Sequence, residues 1–309
     1  MKIVLLDALT MGDSDLSAFA KLGEFTSYQL TSAAQLLEHI ADNEVIITNK
    51  VLIDRAIIEA NPQLKLICIA ATGKNNVDLI AAQEAGVAVK NVSGYSTESV
   101  AQSTIAMLLG LVQQTRYYDQ YTKSKAWCNS PTFTHIDVPF SELKGKRWGI
   151  IGFGAIGQRV AEIAQVFGCE LCYYSTSGKN AQQGIKQVDL TTLLSSCDII
   201  SIHAPLNAQT ENLIGDEQLA LLKPGAVILN LGRGGIIDEQ AMAKALDLYD
   251  IYHGTDVLAT EPMLENHPYF AVQAQSRLMI TPHTAWASSQ AREILVNKIV
   301  ENIQSVTTL

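Results

Sequence analysis

The chain is 309 residues long, more than one hydrophobic core usually serves, so its length predicts two domains. Apolar residues make up 48% of the chain and charged residues 17%, a balance typical of globular proteins. The 22 Lys and Arg residues against 31 Asp and Glu residues give a net charge of −9. This charge argues against a nucleic-acid partner, because phosphate binding needs a surplus of basic residues, and it favours a small-molecule partner.

The apolar runs are too short for a membrane or a secretory role. The N-terminal run meets Asp7 too early for a signal peptide, and the run at 105–112 is far below the ~20 residues that span a bilayer. Five scattered cysteines favour reduced thiols and a cytoplasmic protein. The stretch CELC at 169–172 has no second Cys or His pair to complete a metal site. We expect Cys169 and Cys172 to pack in the core. We expect no metal and no membrane partner.

The first half of the chain alternates apolar β-type runs with helical patterns. Strands are predicted at KIVLLDA, FTSYQL, EVIITN, LKLICIAA and VAVKNV. Several of the helical patterns between them open with Ser or Asp and close with Gly or Asn, the usual start and stop signals. The alternation is typical of a parallel sheet covered by helices on both faces. A first α/β unit is therefore predicted to end near residue 95.

A single long helix is predicted next, from Thr97 as its N-cap to Trp127. The stretch from Cys128 to Lys146 has poor periodicity and predicts an irregular arm. Four apolar residues of the arm lack an obvious core, namely Phe133, Ile136, Val138 and Phe140. Because exposed apolar patches usually mark an interface, we expect a homodimer in which they are covered.

The second half predicts a second α/β series. Strands are expected at RWGIIGFG, ELCYYS, DIISIHAP, AVILNLG, DIYHGTDV and RLMITPH, and SSQAREILVNKIVENIQSV closes the chain as a helix. Six strands match two mononucleotide-binding halves. The second series is therefore the predicted cofactor domain.

The sequence GFGAIG at 152–157 has the spacing G-x-G-x-x-G and stands between a predicted strand and a predicted helix. One match to this pattern is weak evidence, but that context gives it a mechanism. Gly152 permits the tight turn, Gly154 lets the backbone approach a pyrophosphate, and Gly157 allows the helix to pack on the strand. The helix N-terminus then offers unpaired N–H groups to the phosphates. The pattern predicts a dinucleotide cofactor.

The end of the next strand bears on the choice between NAD and NADP. An acid at this point would bind the ribose 2′-hydroxyl of NAD, but this chain has Ser175. The hydroxyls of Ser175, Thr176 and Ser177 and the charge of Lys179 would suit a 2′-phosphate. A serine hydroxyl that serves the ribose of NAD is the alternative, and the sequence leaves both cofactors open.

Three segments at predicted strand ends carry the groups needed to reduce a carbonyl. NLGRGGIID supplies Arg233, TDVLATEP supplies Asp256 and Glu261, and TPHTAWAS supplies His283. Arg offers a planar donor fork for a carboxylate, His carries a proton near neutral pH, and an acid beside a His orients its ring. Because ligands bind at the carboxyl ends of parallel strands, we expect these groups to share one site.

Asn49 and Lys50 follow another predicted strand. They are candidates for a substrate contact or for a strand-end cap.

At this point the chain resembles the D-isomer-specific 2-hydroxyacid dehydrogenases over nearly all of its length. It looks most like the branch of glycerate dehydrogenases and hydroxypyruvate or glyoxylate reductases. The matching segments are ATGKNNVD (71–78), NVSGYSTESVAQST (91–104), GFGAIG (152–157), HAPL (203–206), NLGRGG (230–235), DVLATEP (256–262) and PHTAWAS (282–288). Two positions depart from the family pattern: Ser175 replaces an acid, and Gln102 stands where an acid is common.

The resemblance implies a catalytic set of Arg233, Glu261 and His283 for hydride transfer to a small 2-keto acid, the product being a 2-hydroxy acid. Arg233 would bind the substrate's carboxylate and carbonyl, His283 would donate the proton in reduction, and Glu261 would pair with His283. Backbone N–H groups around Thr72 and Gly73 would hold the substrate carboxylate.

The resemblance also implies the cofactor contacts. Thr104 would line the nicotinamide pocket and Asp256 would face the carboxamide. Together with the glycine turn and with Ser175 and Lys179, which the residues themselves suggested, the predicted cofactor contacts are Thr104, Gly152, Phe153, Gly154, Ala155, Ile156, Gly157, Ser175, Lys179, His203, Ala204, Pro205, Leu231, Gly232, Arg233, Asp256 and His283.

The implied fold is α/β with two doubly wound parallel-sheet domains. Residues 1–97 with 284–309 would form a discontinuous flavodoxin-like substrate domain, and residues 98–283 a Rossmann cofactor domain, with the site in the cleft between them. The arm around Trp127 would reach into a partner's site.

Two alternatives remain. A nicotinamide-sensing protein of the corepressor type shares this fold, but the intact catalytic set argues against it. A phosphoglycerate dehydrogenase shares the chemistry, but the chain ends 26 residues after His283 and leaves no room for a regulatory domain.

Overall fold

The computed structural model describes residues 1–178 and 184–307. The chain forms two compact units, which are Met1–Ser96 with Ala287–Leu309 and Thr97–Trp286. No helix in the described part of the chain is long and apolar enough to cross a membrane.

The first unit contains a five-stranded parallel sheet in the order β2-β1-β3-β4-β5. Its strands are β1 (Lys2–Leu5), β2 (Glu24–Ser27), β3 (Val45–Thr48), β4 (Leu66–Ile69) and β5 (Ala88–Asn91). The helices between them are α1 (Ser17–Ala20), α2 (Leu36–Ile40), α3 (Arg55–Glu59) and α4 (Leu79–Glu84). All five predicted strands are confirmed, in the order of a doubly wound sheet.

The central strands β3 and β4 are buried along their whole length because both faces of the sheet are covered, and Thr48 is their only polar residue. Every residue of β3 and β4 is buried. This is the pattern expected of parallel strands with helices on both sides. Asp54 and Asp78 start α3 and α4 by accepting backbone N–H groups of the first turn, as the start signals predict.

The single helix predicted from Thr97 to Trp127 is wrong. The structure has α5 (Thr97–Val112) and α6 (Thr115–Lys123), and α5 begins at Thr97 itself. Gln114 separates them in the left-handed region, with φ of 53°. Its buried side chain donates to the Leu111 carbonyl at 2.8 Å, so a side chain replaces the backbone N–H that would have continued the helix.

The second unit contains a seven-stranded parallel sheet in the order β12-β11-β10-β9-β6-β7-β8. Its strands are β6 (Arg147–Ile151), β7 (Glu170–Tyr174), β8 (Lys186–Gln187), β9 (Ile199–Ile202), β10 (Ala226–Asn230), β11 (Ile251–Thr255) and β12 (Leu278–Ile280). Its remaining helices are α7 (Ala155–Val166), α8 (Leu190–Ser196), α9 (Asp216–Leu219) and α10 (Glu239–Leu248). The six predicted strands are confirmed. The short strand β8 was missed because its two residues are polar and exposed and have no β pattern.

The last helix, α11 (Ser289–Thr307), belongs to the first unit and confirms the predicted closing helix. In the second unit Cys169 and Cys172 are buried in separate apolar clusters, which confirms that CELC packs in the core. Trp148 is fully buried there and donates its indole N–H to the Ser201 hydroxyl at 2.9 Å.

Parallel pairing brings the carboxyl ends of these strands to one edge of the sheet. The glycine turn, the HAP turn and the three segments with candidate chemistry all leave the sheet at that edge. The fold of the second unit therefore gathers most of the predicted site residues.

Candidate active site

The glycine turn connects β6 to α7. Gly152 has φ of 88°, and a side chain there would come within 2.6 Å of the Ala204 nitrogen. At Gly157 a Cβ would lie 2.4 Å from the Gly152 carbonyl oxygen, so the helix packs directly on the turn. Gly154 is the N-cap of α7, and a Cβ added there would meet no atom within 4 Å. Gly152 and Gly157 thus allow close packing. Gly154 leaves an open space, here called the cradle, at the N-terminus of the 12-residue helix α7, and this space fits a pyrophosphate.

The HAP turn follows β9 and lies against the glycine turn. Both ring nitrogens of His203 are buried and have no hydrogen-bond partner in residues 1–178 and 184–307. Burial lowers the pKa of His203 to about 3, so the ring is neutral at physiological pH. An unsatisfied buried ring is uncommon and points to a missing polar neighbour, such as a bound ligand or water.

The turn that carries Arg233 follows β10 and is held by Asn230. The buried Asn230 side chain donates to the Arg233 carbonyl at 2.9 Å and accepts from the Gly232 N–H at 3.1 Å. The exposed Arg233 guanidinium donates to the Gly232 carbonyl at 2.8 Å. No carboxylate of the described residues pairs with it. Arg233 is therefore available for an anionic ligand.

Asn230 is a residue that the sequence reasoning missed. Its place at the head of NLGRGG is the signal that identifies it, because Asn bonds the backbone of the turn it opens.

Glu261 and His283 are brought together by the loops after β11 and β12. Nδ1 of His283 lies 2.6 Å from Oε2 of Glu261, and each side chain is about one-third exposed. An ionised carboxylate only accepts hydrogen bonds, so Nδ1 carries the hydrogen and Nε2 is the nitrogen left for a ligand. His283 has φ of 53°, in the left-handed region that non-glycine residues rarely adopt. Such strain often accompanies a functional position.

Asp256 is buried and holds the segment that carries His283. Its Oδ1 accepts from the Thr281 hydroxyl at 2.6 Å and from the Thr284 N–H at 2.9 Å. Its Oδ2 accepts from the Ala285 N–H at 2.9 Å. Of about four acceptor positions on a carboxylate, three are used, so at most one is left for a cofactor amide. Its implied contact with the carboxamide stays a prediction.

Thr104 and Ser175, two further predicted cofactor contacts, are engaged in local hydrogen bonds. Thr104 is fully buried in α5 and donates to the Val100 carbonyl at 2.8 Å. The Ser175 hydroxyl, just after β7, accepts from the Gly178 N–H at 2.9 Å. Lys179 lies outside the described residues. The contacts of all three with a cofactor stay predictions.

The remaining site candidates lie in the first unit. Thr72 and Gly73 follow β4, and the Asn91 side chain holds their loop by donating to the Thr72 carbonyl at 2.6 Å. Asn49 and Lys50 follow β3, and their N–H groups both donate to the buried carboxylate of Asp7. The backbone of these two residues therefore has the strand-end role that the sequence left open, and the side chain of Lys50 is exposed.

Comparison with known proteins identifies the family of the chain. Residues 105–285 match the model of the D-isomer specific 2-hydroxyacid dehydrogenase, NAD binding domain. The chain belongs to the D-isomer specific 2-hydroxyacid dehydrogenase family.

The relatives extend the match beyond the NAD-binding domain. The chain is 35% identical to the hydroxypyruvate reductase of Blautia hydrogenotrophica, over 98% of this chain and 96% of that protein. It is 33% identical to the glycerate dehydrogenase of Methylorubrum extorquens, over 98% and 95%. A solved acyclic imino acid reductase in complex with NADPH and D-Arg superposes with a TM-score of 0.87 at 31% identity, over 100% of this chain and 97% of that one.

This 2-hydroxyacid dehydrogenase is therefore an NAD(P)-dependent oxidoreductase that transfers hydride between a nicotinamide cofactor and a small 2-hydroxy or 2-keto acid. Its Rossmann domain carries the glycine turn and all three residues of the predicted catalytic set.

The two kinds of glycine in the turn predict different effects of the same substitution. Gly154→Ala places a methyl group in the open cradle, so we expect normal stability and about tenfold weaker NADH binding. Gly152→Ala forces a Cβ into the Ala204 backbone at a positive φ, so we expect a clear loss of stability. NADH fluorescence titration and urea unfolding measure the two effects. Equal NADH affinity in Gly154→Ala and wild type would contradict the proposal that the cradle at Gly154 binds the pyrophosphate.

Proposed function

We propose that this dehydrogenase reduces glyoxylate or hydroxypyruvate, or in reverse oxidises the corresponding hydroxy acid such as D-glycerate. The observation that carries the proposal is the Glu261–His283 pair at the same sheet edge as Arg233, which pairs with no carboxylate among the described residues. The names of the two reductase and dehydrogenase relatives support this substrate class.

The proposed roles follow from the chemistry of the three side chains. His283 protonates the substrate oxygen through Nε2, since Nδ1 is held by Glu261. Glu261 keeps the ring in this orientation and offsets the charge of the imidazolium form. Arg233 binds the carboxylate and stabilises negative charge on the reacting oxygen. The nicotinamide, when bound, supplies or accepts the hydride. Thr72 and Gly73 are proposed to bind the substrate carboxylate through backbone N–H groups.

We also propose the domain roles that the sequence implied. Residues 98–283 would serve as the cofactor domain, and residues 1–97 with 284–309 as the substrate domain. The family match at 105–285 supports the first assignment.

The cofactor preference is proposed to include NADPH. Ser175 stands where an acid would repel a 2′-phosphate, and the imino acid reductase that superposes on this chain binds NADPH. Lys179 would supply a compensating positive charge.

A homodimer is the proposed assembly, and the arm is its proposed contact. Residues 130–146, all of which the structure describes, form neither helix nor strand. Phe133 is 91% exposed and Ile136 71%, and Trp127 and Phe140 are also exposed. Val138 is half-buried, and its carbonyl accepts from the Tyr118 hydroxyl at 2.5 Å, so the arm packs on α6 at that point. Large apolar side chains at this level of exposure usually have a partner surface.

A cytoplasmic location is proposed on the basis of the thiols. All five cysteines are unbonded, although the sulfurs of Cys172 and Cys197 lie only 3.4 Å apart. Reduced thiols at such a distance suit a reducing compartment.

His283→Ala is expected to lower kcat for 2-keto acid reduction by ~10²- to 10⁴-fold, since positioned proton transfer contributes that much. NADH binding should be nearly unchanged. Steady-state rates with glyoxylate, hydroxypyruvate and pyruvate measure the effect. A His283→Ala rate within about threefold of wild type would exclude His283 as the acid. A wild type that binds NADH but reduces no 2-keto acid would favour the binding-protein alternative.

Ser175→Asp is expected to raise KM for NADPH far more than KM for NADH, because a carboxylate bonds the free ribose hydroxyls and repels the 2′-phosphate. The wild type should use NADPH at a rate within about tenfold of NADH. Lys179→Ala should weaken NADPH alone, and more so at low salt. Absence of any NADPH-dependent reduction in the wild type would show that Ser175 is a neutral ribose contact.

The homodimer predicts a mass of two chains by light scattering at micromolar concentration. Replacing Phe133 and Ile136 by Ser should favour the monomer, since it removes apolar area that the partner would cover. A monomeric wild type at that concentration would contradict the assembly.

A further inference from the structure

The peptide bond between Leu258 and Ala259 belongs to the loop that follows β11 and carries Glu261. A Cβ on Gly234, the neighbour of Arg233, would come within 1.9 Å of the Leu258 carbonyl oxygen, so the turn with Arg233 rests directly on this peptide. The N–H of Leu258 donates to Oε1 of Glu261 at 2.9 Å. The same short segment therefore contacts both the Arg233 turn and the carboxylate that pairs with His283.

A second carboxylate, that of Glu239, binds the next N–H group of this segment. Oε1 of Glu239, the first residue of α10, accepts from the Ala259 N–H at 2.7 Å. Glu239 is largely buried, with 16% of its side chain exposed. A buried carboxylate needs its hydrogen-bond donors, so this bond restrains the backbone strongly.

His267 supplies the second donor to Glu239. Its Nε2 lies 2.9 Å from Oε2 of Glu239, and its side chain is 5% exposed. Nδ1 of the same ring accepts from the Tyr269 N–H at 3.3 Å, so the hydrogen is on Nε2. The ring is thus fixed between a donor and an acceptor, and it can serve Glu239 only as a donor.

We propose that Glu239 and His267 are positioning residues for the reaction. They hold the Leu258–Ala259 peptide, and through it they set the place of the Arg233 turn and the orientation of Glu261 toward His283. This inference rests on the proposed roles of Arg233, Glu261 and His283.

A double-mutant cycle between Glu239 and Glu261 tests the inference. Glu239→Ala should lower kcat for the 2-keto acid that the wild type reduces best by about tenfold, as loss of a carboxylate that orients a functional ligand commonly does. NADH affinity should be unchanged. If Glu239 acts through Glu261, adding Glu239→Ala to Glu261→Gln should lower kcat by less than it does in the wild type.

Asp247 provides a matched control on the same helix. Its carboxylate accepts from the N–H groups of Gln273 and Ala274 at 2.9 and 3.0 Å and anchors a loop with no predicted site residue. Asp247→Ala should lower stability in urea without lowering kcat. Combined with Glu261→Gln, it should leave the kcat of that variant unchanged.

Two variants at His267 distinguish the hydrogen bond to Glu239 from the packing of the ring. His267→Gln should keep more of kcat than His267→Ala, because the Gln amide can still donate to Glu239. If Glu239→Ala does not fold, Glu239→Gln replaces it in the cycle, since an amide can accept from only one of the two donors.

Three results would overturn the inference. The first is a double variant whose loss of kcat equals the product of the losses in Glu239→Ala and Glu261→Gln. The second is a loss of kcat in Asp247→Ala as large as that in Glu239→Ala. The third is equal kcat in His267→Gln and His267→Ala. A wild type without 2-keto acid reduction would instead overturn the proposed function.

Discussion

The candidate site depends on the hydrogen bonds that the buried carboxylate of Asp256 accepts. Asp256 is 2% exposed and accepts three hydrogen bonds from the segment that carries His283. A charge at that depth is tolerated only while its donors stay in place, so the segment cannot move without exposing an unpaired buried charge. This restraint maintains His283 in its left-handed backbone conformation and presents the ring to Glu261.

The neighbouring loops at the sheet edge are braced in the same way. Asn230 bonds the turn of Arg233, and Glu239 with His267 bonds the loop of Glu261. In each case a buried polar side chain near a strand end or helix start satisfies backbone groups of a loop that carries functional chemistry. Loops hold reactive groups accurately only when a rigid scaffold restrains them, and here buried hydrogen bonds supply the restraint.

Much of the architecture could be predicted from the sequence, because hydrophobic periodicity and glycine spacing are local signals. The glycine turn and every strand except β8 were recognisable in this way. The pairing of Glu261 with His283 was implied by the family resemblance. The break at Gln114 was not recognisable, because the residues on both sides have helical patterns. The helices are separated by the left-handed backbone of Gln114 and by the bond of its buried side chain to Leu111. Strand β8 was missed because pairing with β7, and not its own composition, makes Lys186–Gln187 a strand. The roles of Glu239 and His267 were missed for a related reason, since polar residues outside a motif do not show which groups they satisfy.

The sequence by itself determined the fold class, the position of the glycine turn and the identity of the groups available for carbonyl chemistry. Those properties depend on side-chain type and on spacing along the chain. Only the tertiary structure decided that Glu261 and His283 lie 2.6 Å apart, that Arg233 has no acidic partner in the described part of the chain, and that Asp256 is engaged by the protein itself. The reason is that parallel pairing brings distant strand ends to one edge, and that the final distances are set by the close approach of Gly234 to Leu258 and by buried hydrogen bonds between loops.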